Sequence, residues 1–268
     1  MKGMSLHVGL NYVDPTHYQG WDGKLNACEK DARDMEFIAA SKGFVTSTLL
    51  REQASRDRVK NAIEEAAKTL EAGDIFYLSY SGHGGQLPDQ NGDEPDGQDE
   101  TWCLFDGQLV DDELKALWTE FKEGVRIFVT SDSCHSGSII RLHATPNEKY
   151  TDAPARIMPS ENALTTYMAN RSFYDPILAN IKAVDESLIK ATVLLISGCQ
   201  DNQSSYEGSF NGWFTRALKI VWNGGKFRGD YQQFRARIVD RLPDYQSPNF
   251  MILGKANPDF RRQTPFTI

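Results

Sequence analysis

Two side chains in this sequence are placed for nucleophilic chemistry. His83 lies in Ser81-Gly82-His83-Gly84-Gly85, directly after the apolar run Ile75–Tyr80. Cys134 lies in Asp132-Ser133-Cys134-His135-Ser136-Gly137, directly after the run Val125–Thr130. A thiolate is a strong nucleophile, and an imidazole can activate the thiol and then protonate a leaving amine. The glycines let backbone N–H groups approach a reacting carbonyl, and the Gly84 and Cys134 amides are the candidates for an oxyanion hole. Alone, the cysteine reads as a small buried hydrophobe and the histidine as a turn residue. Together, at the ends of successive strands, they read as a dyad. His135 adjoins the cysteine, but neighbours on an extended chain point apart, so His83 is the preferred partner.

The dyad needs elements to hold it. Six short β-branched or apolar runs read as strands: Ser5–Leu10, Phe44–Leu50, Ile75–Tyr80, Val125–Thr130, Thr192–Ser197 and Asn249–Leu253. Near-continuous apolar runs suit strands buried on both faces. Between them lie helical patterns at Lys24–Ala40, Ser55–Leu70, Asp111–Phe121, Phe210–Trp222 and Tyr231–Leu242. Ser55 is a candidate N-cap, and Gly73 stands just past the end of its helix. The alternation predicts an α/β fold, with a central, mostly parallel sheet of about six strands and helices on both faces. Ligand chemistry in such sheets gathers beyond the carboxyl ends of the strands. Two stretches read as loops: acidic Asp89–Glu100, and Arg141–Ser160 with Pro146, Pro154 and Pro159.

Composition narrows the function. The 268 residues are 40% hydrophobic and 25% charged, which is ordinary globular usage and excludes disorder and coiled coil. The net charge of −8 argues against nucleic acid as the main partner and favours cationic peptides. No apolar run reaches the roughly 18–20 residues of a membrane span, and the start does not read as a secretion signal. Cys28, Cys103, Cys134 and Cys199 form no C-x-x-C pair. They read as free thiols of a cytoplasmic protein. Zinc-ligand spacing is likewise absent, which weakens a zinc-hydrolase reading.

The sequence resembles the caspase-like cysteine peptidases, and within them the metacaspases and their bacterial relatives, the orthocaspases. The cysteine follows the histidine at the caspase-like distance of about 50 residues. Val8–Tyr12 resembles the family's first strand, and Leu25–Ala32 its L-x-G-C-x-x-D-A segment, with Ala27 where glycine is usual. Ser81–Gly84 and Asp132–Gly137 resemble the histidine and cysteine motifs. Ser197–Gln203 followed by Gly212-Trp213-Phe214-Thr215 resembles the start of the small-subunit region. Pro248–Phe250 and Thr264–Phe266 match near the end. The resemblance implies a single caspase-like domain over 1–268. Its portions are large-subunit-like 1–141, a connecting region 142–190 and small-subunit-like 191–268.

What the resemblance implies for the site is specific. Cys28, Asp31, Ser81 and Asp132 match the residues that line the pocket for the side chain before the scissile bond (P1). Two carboxylates there would hold Arg or Lys and repel Asp. The expected function is a cysteine endopeptidase cutting after Arg or Lys through a thioester. It would act on protein or peptide substrates, require no cofactor and be monomeric. The alternatives are a caspase-fold pseudoenzyme acting by protein binding, and an Asp-specific peptidase. Self-processing in the Arg141–Ser160 loop is expected, with Arg141, Lys149 and Arg156 as basic residues there. Asp89-x-Asn91-x-Asp93 with Glu100 resembles a calcium loop, but Glu94 stands where an EF-hand needs glycine. The calcium-binding aspartates of metacaspases match Asp99, Asp111 and Asp112. The fourth position, seven residues past Cys134, is Arg141. A guanidinium there repels a divalent ion and would hold the loop in its place.

Overall fold

The computed structural model describes residues 1–92, 94, 96–134, 154–181, 184–199 and 205–268. Its centre is a six-stranded sheet built from β1 (Gly3–Gly9), β2 (Val45–Leu50), β3 (Ile75–Ser81), β7 (Arg126–Asp132), β8 (Thr192–Ser197) and β9 (Asn249–Gly254). The strand order is β2-β1-β3-β7-β8-β9, parallel except for β9. All six strands read from the sequence are present, each within about a residue or two of its expected ends.

Side chains alternate along a strand, so each strand feeds two cores. From β3, Phe76 and Leu78 pack with Val59 and Ile63 of α2 (Arg56–Thr69) and with Leu117 and Trp118 of α3 (Asp111–Thr119). Ile75 and Tyr77 point the other way. They pack with Met35 and Ile38 of α1 (Cys28–Ser41), Phe214 and Leu218 of α6 (Trp213–Trp222), and Phe234 of α7 (Tyr231–Val239). Helices thus cover both faces. Gly9 makes the α1 contact close: a Cβ there would meet the Cys28 carbonyl oxygen at 2.5 Å.

The apolar runs do not predict a second, antiparallel sheet, which the structure contains. It consists of β4 (Gly84–Pro88), β5 (Gln98–Leu104) and β6 (Gly107–Val110). β5 begins inside the acidic stretch that reads as loop. This sheet fixes the turn after β3, because Trp102 of β5 stacks on Tyr80 at 4.4 Å between ring centroids. The Tyr80 hydroxyl bonds the carbonyl oxygens of His83, at 2.7 Å, and Cys103.

Among the described residues, three further α-helices also lie outside the sequence expectation: α4 (Ser160–Ala169), α5 (Arg171–Asn180) and α8 (Pro258–Arg262). α5 carries Pro176 within it, and α8 is a single short turn opened by Pro258. Such prolines read as loop punctuation. Ser55 does precede α2, but its side chain makes no capping bond. The carboxylate of Asp106 accepts from the Arg56 N–H instead, at 2.8 Å. Finally, the Arg141–Ser160 stretch is not all surface loop. Within its described part, Arg156 and Met158 are buried at 0% and 1% exposure.

Candidate active site

β3 and β7 are neighbours in parallel register, with Ser81 opposite Asp132. His83 and Cys134 each follow that pair by two residues, so the two turns leave the sheet side by side at its carboxyl edge. The His83 carbonyl accepts from the Cys103 N–H at 2.9 Å, which ties the histidine turn to β5.

The imidazole is held in one tautomer. Its Nε2 lies 2.9 Å from the Gly23 carbonyl oxygen, which can only accept, so Nε2 carries the proton. Nδ1 is buried without a hydrogen-bond partner. The Trp21 ring packs against the imidazole at 4.9 Å. Burial lowers the His83 pKa to about 4, against the opposing pull of the Gly23 carbonyl, and the nearby Arg156 guanidinium also lowers it. The ring is therefore neutral near pH 7, with Nδ1 as a free base.

The chain itself crosses this site. Residues 154–158 make two isolated bridges about a bend at Arg156: Ala155 forms an antiparallel bridge with Tyr206, and Ile157 a parallel bridge with Gly84. The Arg156 N–H donates to the Ser205 carbonyl at 2.9 Å, and the Glu207 N–H donates to the Pro154 carbonyl at 2.9 Å. The Arg156 carbonyl oxygen accepts from the N–H groups of Gly84 at 3.0 Å and Cys134 at 3.1 Å. These are the two amides that the sequence singles out as oxyanion donors. The Ser205 N–H reaches the Cys134 sulfur at 2.7 Å.

The Arg156 side chain fills a closed acidic pocket. Its Nη2 lies 2.8 Å from Asp31 Oδ2, and its Nη1 lies 3.0 Å from Asp132 Oδ2. Nη1 also donates to the Ser81 hydroxyl at 2.8 Å and the Asp132 carbonyl at 3.2 Å. Asp31, Ser81 and Asp132 thus meet around one guanidinium. Cys28 stands beside them, its thiol pushed up to about 12 by burial and so a neutral part of the wall.

The carboxylates are held independently of Arg156. Asp31 accepts from Ser81 Oγ, Asn211 Nδ2 and the Gly212 N–H. Asp132 accepts from Ser205 Oγ and from the N–H and hydroxyl of Thr215. Gly212 leaves the space the guanidinium uses. A Cβ there would collide with Asp132 Oδ2 and come within 2.5 Å of Arg156 Nη1.

The proposed metal residues are engaged otherwise. Lys115 Nζ lies 2.8 Å from Asp111 Oδ2 and 2.9 Å from Asp112 Oδ1, and Asn91 Nδ2 donates to Asp112 Oδ2 at 2.7 Å. Asp99 is buried on β5. Among the described residues, no three carboxylate, imidazole or thiol groups converge closely enough to hold a metal ion. An ammonium already bridging two of the expected ligands does not fit a calcium site. Arg141, Lys149, Asp93 and His135 lie outside the described residues.

Sequence reasoning misses Gly23, Trp21, Ser205, Glu207, Asn211, Gly212 and Thr215. The Gly212-Trp213-Phe214-Thr215 motif carries a signal for two of them. Gly23 acts through its carbonyl, and Ser205 meets Arg156 and Cys134 through its backbone, which side-chain identity does not announce.

Fold and sequence together define the class. The caspase-domain family model matches residues 13–266, and the chain belongs to that family of cysteine peptidases. Within it, the similar curated proteins are metacaspases. Metacaspase-1 of Schizosaccharomyces pombe is 28% identical over 257 residues, covering 82% of this chain and 59% of the relative. Metacaspase-1A of Neosartorya fischeri is 31% identical over 272 residues, covering 96% and 59%. The chain thus spans about three-fifths of the length of these relatives. A Geobacter sulfurreducens protein of solved structure is 55% identical with a TM-score of 0.92, over 100% of this chain and 99% of that one. Caspase-1 from Spodoptera frugiperda shares the fold at a TM-score of 0.53 and 12% identity, covering 94% and 88%. No helix among the described residues is long and apolar enough to cross a membrane.

Proposed function

We propose that this chain is a cysteine endopeptidase that cuts after Arg or Lys, and that the uncut chain holds its own Arg156 as the first residue to be cut after. One observation carries the reading. Arg156 places its guanidinium between Asp31 and Asp132 while its carbonyl accepts from Gly84 and Cys134.

The chemistry follows from those positions. Cys134 Sγ attacks the Arg156 carbonyl carbon, and His83 Nδ1 takes the thiol proton. The two N–H groups stabilise the oxyanion as it forms. The proton passes to the Ile157 nitrogen as the Arg156–Ile157 bond breaks, leaving a thioester on Cys134. Water, deprotonated by the same Nδ1, hydrolyses the thioester and frees the thiol. The vacated pocket, its carboxylates still held by Asn211, Gly212, Ser205 and Thr215, then receives basic side chains from other proteins. No cofactor enters this scheme.

The test is incubation of purified protein with fluorogenic peptides ending in Arg, Lys or Asp, beside Cys134→Ala. Mass spectrometry follows the chain's own fragments. The expected result is hydrolysis after Arg and Lys and a fragment ending at Arg156, both abolished in Cys134→Ala. Hydrolysis after Asp, or none with Arg156–Ile157 intact, would overturn the reading.

A further inference from the structure

The resident segment continues past Arg156, and its next residues are also gripped. The Met158 N–H donates to the Gly84 carbonyl at 2.7 Å. Gly84 therefore uses both backbone groups on the segment, its N–H on Arg156 and its carbonyl on Met158. Exposure alternates along the segment: Arg156 and Met158 are buried and Ile157 is half-buried. The Met158 sulfur sits 4.0 Å from the Cys103 sulfur and belongs to the apolar cluster containing Trp102, Cys103 and Leu104. Cys103 is fully buried, and its N–H holds the His83 carbonyl. The wall of this apolar slot is therefore hydrogen-bonded to the histidine turn.

We propose that the enzyme has a primed-side subsite, formed by Gly84 and Cys103, that selects an apolar residue of methionine or leucine size at the second position after the scissile bond. The proposal rests on the reading that Arg156 occupies the P1 pocket. The first position after the bond, filled here by half-buried Ile157, is only loosely read. The second is read by size and polarity. An extended slot admits flexible methionine or leucine, is underfilled by alanine, and would strand a carboxylate without a partner.

The test uses peptides of sequence Pro-Ala-Arg-Ile-Xaa-Pro with Xaa as Met, Leu, Ala or Asp, with kcat/KM read by mass spectrometry. In parallel, full chains carrying Met158→Leu, Met158→Ala or Met158→Asp are followed for cleavage at Arg156. Met and Leu are expected to exceed Asp by about tenfold or more, with Ala between, the discrimination usual for a well-filled apolar pocket. The peptide series stands even where Met158→Asp fails to fold. Cleavage after Arg with equal rates for all four peptides would overturn the subsite and leave the P1 reading intact. Absence of cleavage after Arg in peptides and in the chain would overturn both.

Discussion

The carbonyl oxygen of Arg156 accepts a hydrogen bond from the backbone N–H of Cys134 at 3.1 Å. On the proposed reading, this carbonyl, bound by the cysteine's own amide, is the scissile group. The same residue's guanidinium is fully buried between two carboxylates. On that reading, backbone and side chain of Arg156 engage the site as a substrate would, and this single residue makes the pocket legible.

Removing the Arg156 side chain should destabilise the uncut chain. Deleting one partner of a buried ion pair leaves uncompensated charge and typically costs about 3–5 kcal/mol. Here Asp31 and Asp132 keep other donors, so Arg156→Ala is expected near the lower end, with Arg156→Lys losing less. Urea unfolding on a Cys134→Ala background, where no cleavage intervenes, measures the difference. Equal midpoints with and without Arg156→Ala would show that the pairs contribute nothing net.

Gly212 sets the pocket's width. Its φ of −55° is open to any residue, so the constraint is space alone. Gly212→Ala pushes a methyl into Asp132 Oδ2 and the guanidinium. Cleavage after Arg should fall by about tenfold or more in kcat/KM, the scale on which a single carbon matters in a filled pocket. Steady-state kinetics with thermal melting separates a narrowed pocket from a misfolded chain. An unchanged KM and kcat would remove Gly212 from the pocket.

The sheet and the two reactive turns are readable because their signals are local. Buried parallel strands are continuous apolar runs, and His83 and Cys134 directly follow two of them. The second sheet is hidden because β5 starts within acidic residues and β4 opens with two glycines, so neither shows a clean alternation. Arg156 is visible only as one of three basic residues in a proline-rich stretch. Its distinction is a long-range fit to Asp31 and Asp132, which no local pattern expresses. Lys115 goes unnoticed beside the matched aspartates because it reads as an ordinary helix-surface partner at i+3 and i+4.

The His83 titration should report whether the segment is in place. Burial holds its pKa near 4 in the uncut chain, with the Arg156 charge adding to the effect. Arg156→Ala removes that charge and lets water reach the site, so the pKa should rise toward the ordinary value of about 6.5. NMR of the imidazole C–H signals on the Cys134→Ala background measures both chains. A value that does not move would mean that the segment leaves the ring's surroundings untouched.

His7 should make the fold acid-sensitive independently of the site. It is buried on β1 between the hydroxyls of Ser5 and Ser79, and burial lowers its pKa to about 3. Between about pH 6.5 and 3 the unfolded chain binds a proton that the folded chain refuses. The stability His7 provides is therefore complete above pH 6.5 and is lost progressively as pH falls toward 3. At ~1.4 kcal/mol per pH unit, the loss is on the order of 3–5 kcal/mol. His7→Gln, which cannot titrate, should flatten the fall in urea-unfolding free energy over this window. Parallel pH profiles for the two chains would refute the assignment.

Lys115 should make the chain indifferent to calcium. Its ammonium bridges Asp111 and Asp112 at the first turn of α3, where three successive acidic residues crowd. Burial raises the Asp111 carboxyl above its ordinary range, and Lys115 opposes that shift. A divalent ion would have to expel the ammonium before it could collect these ligands. Chelator and added calcium should therefore leave both melting temperature and Arg-peptide hydrolysis unchanged. Lys115→Met removes the counter-charge, so the Asp111 pKa should rise further and stability at pH 7 should fall. Part of that loss should return as pH is lowered and the carboxyl protonates, because a raised folded-state carboxyl favours the fold on the acid side. Melting curves from pH 5 to 8, with and without calcium, test both statements. A rise in the wild-type melting temperature or activity with millimolar calcium would show that the ion, not Lys115, is the cation this turn is built around.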